Sequence, residues 1–159
     1  QVLLRWAYEK IAEAYWHKKD KNHALNFFES SFNFARNRQE QNSTLEKMGE
    51  IYWETDAMDK WFDVREKMVG NLSPQDKRAT YLVLAREAVE EQQAIDYLEQ
   101  ALQAVSGENG PLDERMQSIL DISDQLMTLY RLRKDNANLQ RLENLSERVE
   151  QLRKKISLH

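Results

Sequence analysis

Three side chains able to bind a metal recur at helical spacing near the start of the chain. Glu9, Glu13 and His17 follow one another at intervals of four residues, which places them on one face of a helix. Carboxylate and imidazole groups arranged in this way can ligate a divalent cation such as zinc. The sequence supplies neither a fourth ligand nor a second helix with a Glu-x-x-His motif. We therefore interpret the row as a solvated helix face and expect no metal and no cofactor.

The remaining sequence lacks the patterns of common catalytic sites. It contains no cysteine, which excludes a thiolate nucleophile, a thiolate zinc site and a disulfide framework. It contains no glycine-rich phosphate loop and no G-x-S-x-G nucleophile motif either. We predict that the protein is not an enzyme.

Composition favours a helical protein. Hydrophobic residues make up 41% and charged residues 31% of the 159 residues, with only four glycines and two prolines to form turns. The net charge of -4 argues against non-specific nucleic-acid binding, which requires a basic surface. The apolar runs are far shorter than the roughly 20 residues that span a bilayer, so no membrane association is expected. Because the chain starts at Gln1 without a signal peptide or Met, we expect a segment of a longer protein, with the cytoplasm as the default compartment.

One stretch of the sequence is repeated. Residues 9–16 (EKIAEAYW) recur as residues 46–53 (EKMGEIYW), 37 residues further along. The Glu, Lys, Glu, Tyr and Trp positions are identical, and the other changes keep apolar or small side chains. A match at a fixed offset of about 20 to 50 residues indicates an architecture of stacked structural repeats.

Hydrophobic spacing predicts a helix near residues 3–18 and a second helix that ends near residue 35. Leu4, Tyr8, Ile11, Ala12 and Tyr15 fall on one stripe of the first helix. Asp20 or Asn22 is expected to cap the second helix, and Ser73 with Pro74 to start a later one. Residues 36–42 are polar and are interpreted as a connection between repeats.

The last predicted helix, about residues 137–157, carries a heptad-like apolar seam. The seam consists of Leu142, Leu145, Val149, Leu152 and Ile156. We interpret it as the capping helix of a helical stack. Homodimerisation through the same seam is the alternative.

The paired helices resemble the tetratricopeptide repeat family, whose pattern is W-x2-L-G-x2-Y, then A-x3-F, then P. The matching positions are Tyr8, Ile11, Ala12, Tyr15, Ala24 and Phe28 in the first repeat, Leu45, Met48, Gly49, Tyr52 and Trp61 in the second, Ala94, Leu98 and Ala101 in the third, and Tyr130 in the fourth. Small residues at Ala12, Gly49 and Ala24 would let paired helices approach closely. Trp61 occupies the position of Ala24, so the second helix pair is expected to be wider.

The resemblance implies an all-α fold, an α-solenoid of about four antiparallel helix pairs in a right-handed superhelix with a long final capping helix. We expect one repeat domain over residues 1–159, with repeats near 3–38, 41–72, 74–106 and 111–158. In this family the first helix of each repeat lines a concave groove where peptides usually bind.

By that resemblance, the outward residues of the first helices are candidates for partner binding. They are Trp6, Glu9, Lys10, Glu13, Trp16, His17, Glu46, Lys47, Glu50, Trp53, Glu54, Arg86 and Arg131. Recurring Glu and Trp would suit a protein or peptide partner with basic and apolar side chains, through ion pairs and cation–π contacts. The competing interpretation is that Trp16 and Trp53 pack between repeats and that the carboxylates are merely solvated.

Two functional hypotheses remain open at this stage. The first is a non-enzymatic interaction module that binds a peptide or helix of a partner in the concave groove. The alternative is a regulatory or sensory helical-repeat segment of a larger signalling or transcription-regulating protein, acting by curvature change or dimerisation.

Overall fold

The computed structural model describes residues 1–158, in which all regular structure is helical and no strand occurs. The helices are α1 (Val2–His17), α2 (Lys21–Asn33), α3 (Arg38–Glu54), α4 (Met58–Val69), α5 (Pro74–Glu87), α6 (Glu91–Val105), α7 (Leu112–Leu132) and α8 (Asn136–Ser157). Consecutive helices pack as the pairs α1–α2, α3–α4, α5–α6 and α7–α8. The predicted all-α class with four antiparallel helix pairs is confirmed. Within this described part of the chain, no helix combines the length and apolar content needed to cross a bilayer.

Short polar side chains start α2 and α5. The Asp20 carboxylate accepts a hydrogen bond from the His23 N–H at 3.2 Å, and the Ser73 hydroxyl accepts one from the Asp76 N–H at 3.2 Å. Pro74 occupies the first turn of α5, where its missing N–H costs nothing. Both helix starts agree with the sequence prediction.

The start of α3 differs from the prediction. Residues 36–42, expected to form a connection, hold the first turn of this helix. Asn37 caps it by accepting a hydrogen bond from the Glu40 N–H at 2.9 Å, and the Glu40 carboxylate accepts one from the Arg36 N–H at 2.8 Å. Polar residues favour both loops and helix starts, so their presence alone did not distinguish the two.

Three turns between paired helices share one backbone conformation. Lys19, Asp56 and Lys134 follow α1, α3 and α7 with φ of 61°, 58° and 57°. The next residue in each turn donates its N–H to a tyrosine carbonyl five positions earlier, the 6→1 bond of a Schellman motif. These bonds are Asp20 to Tyr15 at 3.0 Å, Ala57 to Tyr52 at 2.8 Å and Asp135 to Tyr130 at 2.9 Å. The tyrosines therefore mark equivalent helix ends in three of the four hairpins.

The turn between α5 and α6 is the exception. Its first residue, Ala88, is extended with φ -62° and ψ 132°. The third repeat also matches the family pattern less well in its first helix than in its second. The repeat whose first helix departs from the family pattern is therefore also the repeat whose turn differs from the other three.

The chain forms two compact units, an N-terminal unit from Gln1 to Asn71 and a C-terminal unit that begins at Leu72. Each unit holds two helical hairpins that pack on one another through their middle helices, α2 with α3 and α6 with α7. Stacked hairpins of this kind are the building pattern of an α-solenoid. A single repeat domain over residues 1–159 stays a prediction.

Small residues lie at the crossing of α1 and α2. Ala12 and Ala24 are fully buried and share a cluster with Phe28. Ile51 of α3, also fully buried, completes this cluster and joins the second hairpin to the first. The burial of both small residues is what the predicted close approach of α1 and α2 requires, and the close approach itself stays a prediction.

The two helices of the second hairpin lie further apart than those of the first, as the size of Trp61 led us to predict. Trp61 is buried between α3 and α4, with its ring centroid 5.2 Å from that of Trp53. Helices α3 and α4 approach less closely over their length than α1 and α2 do. A Cβ at Gly49 would lie 3.5 Å from Val64 Cγ1, an ordinary van der Waals distance. Gly49 is therefore not required for the crossing, which corrects the expectation of a tight approach at this residue.

The apolar stripe predicted on α1 divides into two. Ala12 is buried, whereas Leu4 is 47% and Ile11 40% exposed. Ile11 is one position before Ala12, so the two side chains diverge by about 100° around the helix axis. The prediction of Ile11 as an inward repeat position is therefore wrong.

The core of the C-terminal unit lies between α6, α7 and α8. Its members are Ile95, Leu98, Ala101, Val105, Ile122, Leu126, Tyr130 and Leu142. The α8 seam contributes Leu142 here and Val149 to a smaller cluster with α7, whereas Leu152 and Ile156 remain 46% and 45% exposed. Most other exposed positions of this helix are polar, as a capping helix requires.

Candidate partner-binding groove

Ion pairs fill the space between α1 and α3, the first helices of the two N-terminal hairpins. The Lys47 ammonium of α3 contacts the carboxylates of Glu9 and Glu13 on α1, the second at 2.8 Å. Lys10 holds the other oxygen of Glu13 at 2.8 Å. Two of the carboxylates predicted to meet a basic partner are therefore neutralised within the chain.

A second group of charges extends this network toward the start of α3. Arg5 lies 3.3 Å from Glu9 and 3.5 Å from Glu40, so it links α1 to the first turn of α3. Arg36 holds the other oxygen of Glu40 at 2.7 Å. Hydrogen bonds from the Arg36 side chain and backbone lower the pKa of Glu40 to about 2.

The pKa values within the network favour the charged forms. Hydrogen bonds from Lys10 and then from Lys47 lower the pKa of Glu13. Burial alone would lower the pKa of Lys47, but its hydrogen bonds to Glu13 and Glu9 raise it above the ordinary value. Glu13 and Lys47 therefore both stay ionised at neutral pH, which stabilises the bridge between the hairpins.

The row of possible metal ligands does not assemble into a site. Glu9 and Glu13 face Lys47, whereas His17 is exposed at the end of α1. In residues 1–158, no three acidic or histidine side chains are placed together to hold a metal.

The two repeated tryptophans have different surroundings. Trp16 packs against the Ala12–Ile51 cluster, and the Lys19 ammonium lies 4.8 Å from its ring centroid. Trp53 is 48% exposed and its ring contacts Trp61 of its own hairpin. Trp16 therefore joins adjacent hairpins, whereas Trp53 presents half of its surface to solvent.

The other predicted binding residues lie at the surface. Glu46, Glu50 and Trp53 form an exposed row on α3 at intervals of four and three residues. Glu54 contacts Lys19 at 3.8 Å. The remaining exposed candidates are Trp6, Lys10, His17, Arg86 and Arg131.

An open groove occupies the corresponding place in the C-terminal unit, between α5 and α7 with α6 beneath. It encloses about 540 Å³ and is more apolar than polar. Its lining consists of Leu82, Ala85 and Arg86 from α5, Ala94 and Leu98 from α6, and Gln125, Thr128 and Leu129 from α7. Of the predicted binding residues, only Arg86 lines this groove.

A polar bridge closes one end of this α5–α7 groove. Arg78, one turn before Leu82 on α5, donates a hydrogen bond to the Ser118 hydroxyl of α7 at 2.9 Å. The same guanidinium pairs with Glu108, whose side chain is almost fully buried. A buried carboxylate requires such a partner, so the bridge is a fixed part of the unit.

The opposite end of the groove carries exposed apolar side chains. Val89, in the turn after α5, is 91% exposed, and Leu132, the last residue of α7, is 71% exposed. An ion pair of 2.7 Å between Arg133 and Glu91 places the ends of these elements together. Two exposed apolar side chains therefore lie beyond this end of the groove.

Arg86 is the one charged residue in the groove lining. Its side chain is 72% exposed and contacts the neighbouring Glu87 at 3.2 Å. An exposed pair of adjacent residues is weak, at about 0 to 1 kcal/mol. The guanidinium can therefore reorient toward a carboxylate on a bound partner.

Sequence reasoning identified Arg86 but missed most of the groove. Leu98 was predicted as a structural repeat position, and Leu82, Gln125 and Thr128 carried no signal of a binding role. The groove arises because α5 and α7 flank α6, which the spacing of a single helix does not reveal. A search for apolar residues shared by the first helices of the third and fourth repeats would have found Leu82 and Leu129.

A second depression lies in the N-terminal unit between α2 and α4. It encloses about 390 Å³, and α3 contributes Leu45, Met48 and Tyr52 to its lining. Its rim mixes Glu29 and Asp63 with Lys60 and Lys67. The mixed charges leave it more polar than the α5–α7 groove.

Comparison with known proteins gave two structural similarities. Neither a protein-family model nor a curated protein sequence matches the chain. The crystal structure of BtubC (BKLC) from P. vanneervenii shares 12% identity at a TM-score of 0.46, over 96% of this chain and 65% of that one. A putative kinesin light chain from Podosopora anserina, with nearly identical TPR-like repeats, shares 14% identity at a TM-score of 0.41, over 91% of this chain and 93% of that one. The chain therefore spans just under two thirds of BtubC.

Proposed function

We propose that the chain is a non-enzymatic protein-interaction module of the tetratricopeptide type, which binds a peptide or helix of a partner in the α5–α7 groove. The proposal rests on a contrast between the α1–α3 space of the N-terminal unit and the α5–α7 space of the C-terminal unit. Ion pairs span the gap between first helices in the N-terminal unit, whereas the gap in the C-terminal unit is open and apolar. An open apolar cleft with a few polar groups is the usual form of a binding site.

The size of the groove suits a short segment. From Leu82 to the end of α5 the groove wall covers about one and a half helical turns, or roughly 8 Å. That length matches about one and a half turns of a bound helix or two to three residues of an extended peptide. Each fully buried leucine-sized side chain would contribute about 1.5 to 3 kcal/mol.

The polar lining suggests the chemistry of the partner. Arg86 offers a guanidinium to a carboxylate, and Gln125 and Thr128 offer hydrogen bonds on the opposite wall. A partner with two apolar side chains and one acidic side chain on the same face would use all of these groups. A preference for basic and apolar side chains is proposed instead for the exposed row of Glu46, Glu50 and Trp53 on α3.

The regulatory alternative and the homodimer stay predictions. The α8 seam is largely used within its own hairpin, since Leu142 and Val149 are buried against α7. Only Leu152 and Ile156 would remain for an α8–α8 contact. We therefore favour the interaction module.

The proposal is tested by filling the groove. Peptides are selected from a displayed random library against the whole chain, and their affinities are measured for the parent protein and for Thr128→Trp. Thr128 is an exposed lining residue, so the indole would occupy the groove with little effect on the core. Val83→Trp is the matched control, because Val83 is a 36% exposed residue of α5 outside the lining.

The proposal expects selected peptides to bind Thr128→Trp at least about tenfold more weakly, which corresponds to about 1.4 kcal/mol. Val83→Trp should bind them as the parent protein does. Equal binding to all three proteins would exclude the groove as the binding site.

A further inference from the structure

The outer surface of the first hairpin is unusually apolar. Leu4 and Ile11, 47% and 40% exposed, share a heptad-like stripe on α1 with Ala7 and Ala14. Leu3 at the edge of this stripe is 78% exposed. Apolar residues at alternating intervals of three and four form the contact seam between two helices.

A ladder of aromatic rings adjoins this stripe along the α1–α2 junction. Tyr8 lies between Phe34 and Phe27 at centroid distances of 5.7 and 6.1 Å, and Tyr15 continues the ladder 5.5 Å from Phe27. All four rings are only partly buried. Stripe and ladder together make one continuous apolar face.

The charges that border this face are mainly positive. The two cations Lys10 and Lys18 occupy the exposed edge and the end of the α1 stripe, and His17 lies beside them. Of the acidic residues of α1, Glu9 turns toward Lys47, and Glu13 shares its carboxylate between Lys47 and Lys10. Two copies meeting through this face would bring these cations against one another, which opposes self-association.

We propose that the outer face of the α1–α2 hairpin, defined by Leu4, Ile11, Tyr8 and Phe34, binds an amphipathic α-helix flanked by acidic residues. The alternation of Leu4 and Ile11 with Ala7 and Ala14 gives the knobs and holes that a helix requires. The stripe from Leu4 to Lys18 extends for about 20 Å, which corresponds to four turns of the bound helix. Carboxylates along its flank would pair with Lys10 and Lys18 at the rim.

The test uses two designed peptides of about three heptads, each with leucine at the a and d positions. One carries glutamate at e and g and the other carries lysine. Fluorescence anisotropy measures the binding of each peptide to the whole chain and to Ile11→Glu. The matched control is Val83→Glu, because Val83 is 36% exposed, close to the 40% of Ile11, and belongs to the C-terminal unit.

The parent protein should bind the glutamate peptide at least about tenfold more tightly than the lysine peptide. Ile11→Glu should weaken that binding by at least about tenfold, and Val83→Glu should leave it within about twofold. The double variant Lys10→Glu and Lys18→Glu, which changes two exposed side chains and removes the Lys10–Glu13 ion pair, should remove or invert the preference between the peptides. It serves as the independent test if Ile11→Glu loses its helical circular dichroism.

Three results would overturn the proposal. One is equal affinity for the two peptides, and another is a preference that survives the double charge reversal. The third is a dimer in sedimentation velocity that Ile11→Glu converts to a monomer, because a second copy would then occupy the face.

Discussion

Replacing Ala57 with Asp should stabilise the protein, because it supplies a helix cap that two equivalent turns already have. Asp20 and Asp135 occupy the position before α2 and α8, with φ, ψ of -87°, 82° and -84°, 81°. Each carboxylate accepts a hydrogen bond from the N–H three residues later at 3.2 Å. Ala57 before α4 has φ, ψ of -89°, 65° and no side-chain cap. The backbone is therefore already arranged for a carboxylate at this position.

The expected gain follows from the missing hydrogen bond. A capping Asp is worth about 0.5 to 2 kcal/mol relative to Ala. The negative charge at the helix N-terminus should add about 0.3 kcal/mol or more to the free energy of unfolding. The negative charges of Asp56 and Asp59, one and two positions away, should offset a similar amount by Coulomb repulsion. We expect a net increase in unfolding free energy of about 1 kcal/mol.

Urea unfolding followed by far-UV circular dichroism measures the gain. With a urea m-value of about 1 to 3 kcal/mol/M, the midpoint should rise by about 0.3 to 1 M at unchanged m. Ala57→Glu is the control, since it places the same charge with a side chain poorly suited to capping. If Ala57→Asp is no more stable than Ala57→Glu, the three turns are not equivalent and the capping argument is refuted.

Further predictions concern Gly49 and the charges between α1 and α3. Gly49→Ala should raise the unfolding free energy by about 0.5 to 1 kcal/mol in urea titrations, because helical alanine loses less entropy and its Cβ meets no clash. Glu40→Gln should lower the Tm at pH 7. Since the folded pKa of about 2 lies below the ordinary 4.5, the difference from the parent protein should shrink as pH falls from 4.5 and vanish below about 2. Lys47→Met should cost about 1 to 2 kcal/mol at low salt, and less at high salt, because two partly buried carboxylates each lose one of their two cationic partners.

Features governed by neighbouring residues along the chain were predictable from sequence. The caps at Asp20 and Ser73 depend on a side chain and an N–H three positions apart. The burial of Ala12 and Ala24 follows from their size and from the repeated pattern around them. The wider second hairpin followed from one large side chain, Trp61, at a position that is small in the first repeat.

Features governed by the pairing of distant helices were not predictable. Lys47 was interpreted as an outward residue, but it meets two carboxylates more than 30 positions away along the chain. The α5–α7 groove likewise depends on helices that are separated in sequence by α6. On α1, one step of about 100° separates buried Ala12 from exposed Ile11, and apolar spacing does not resolve so small a difference.

The most direct test of the proposed binding groove is a chemical-shift map. A peptide selected against the whole chain is titrated into isotopically labelled protein, and the amide and methyl signals are followed by NMR. The account predicts that the largest changes occur at Leu82, Ala85, Leu98 and Leu129, with saturation at a single affinity. Changes confined to the Glu9–Lys47 region, with the groove signals unmoved, would contradict it.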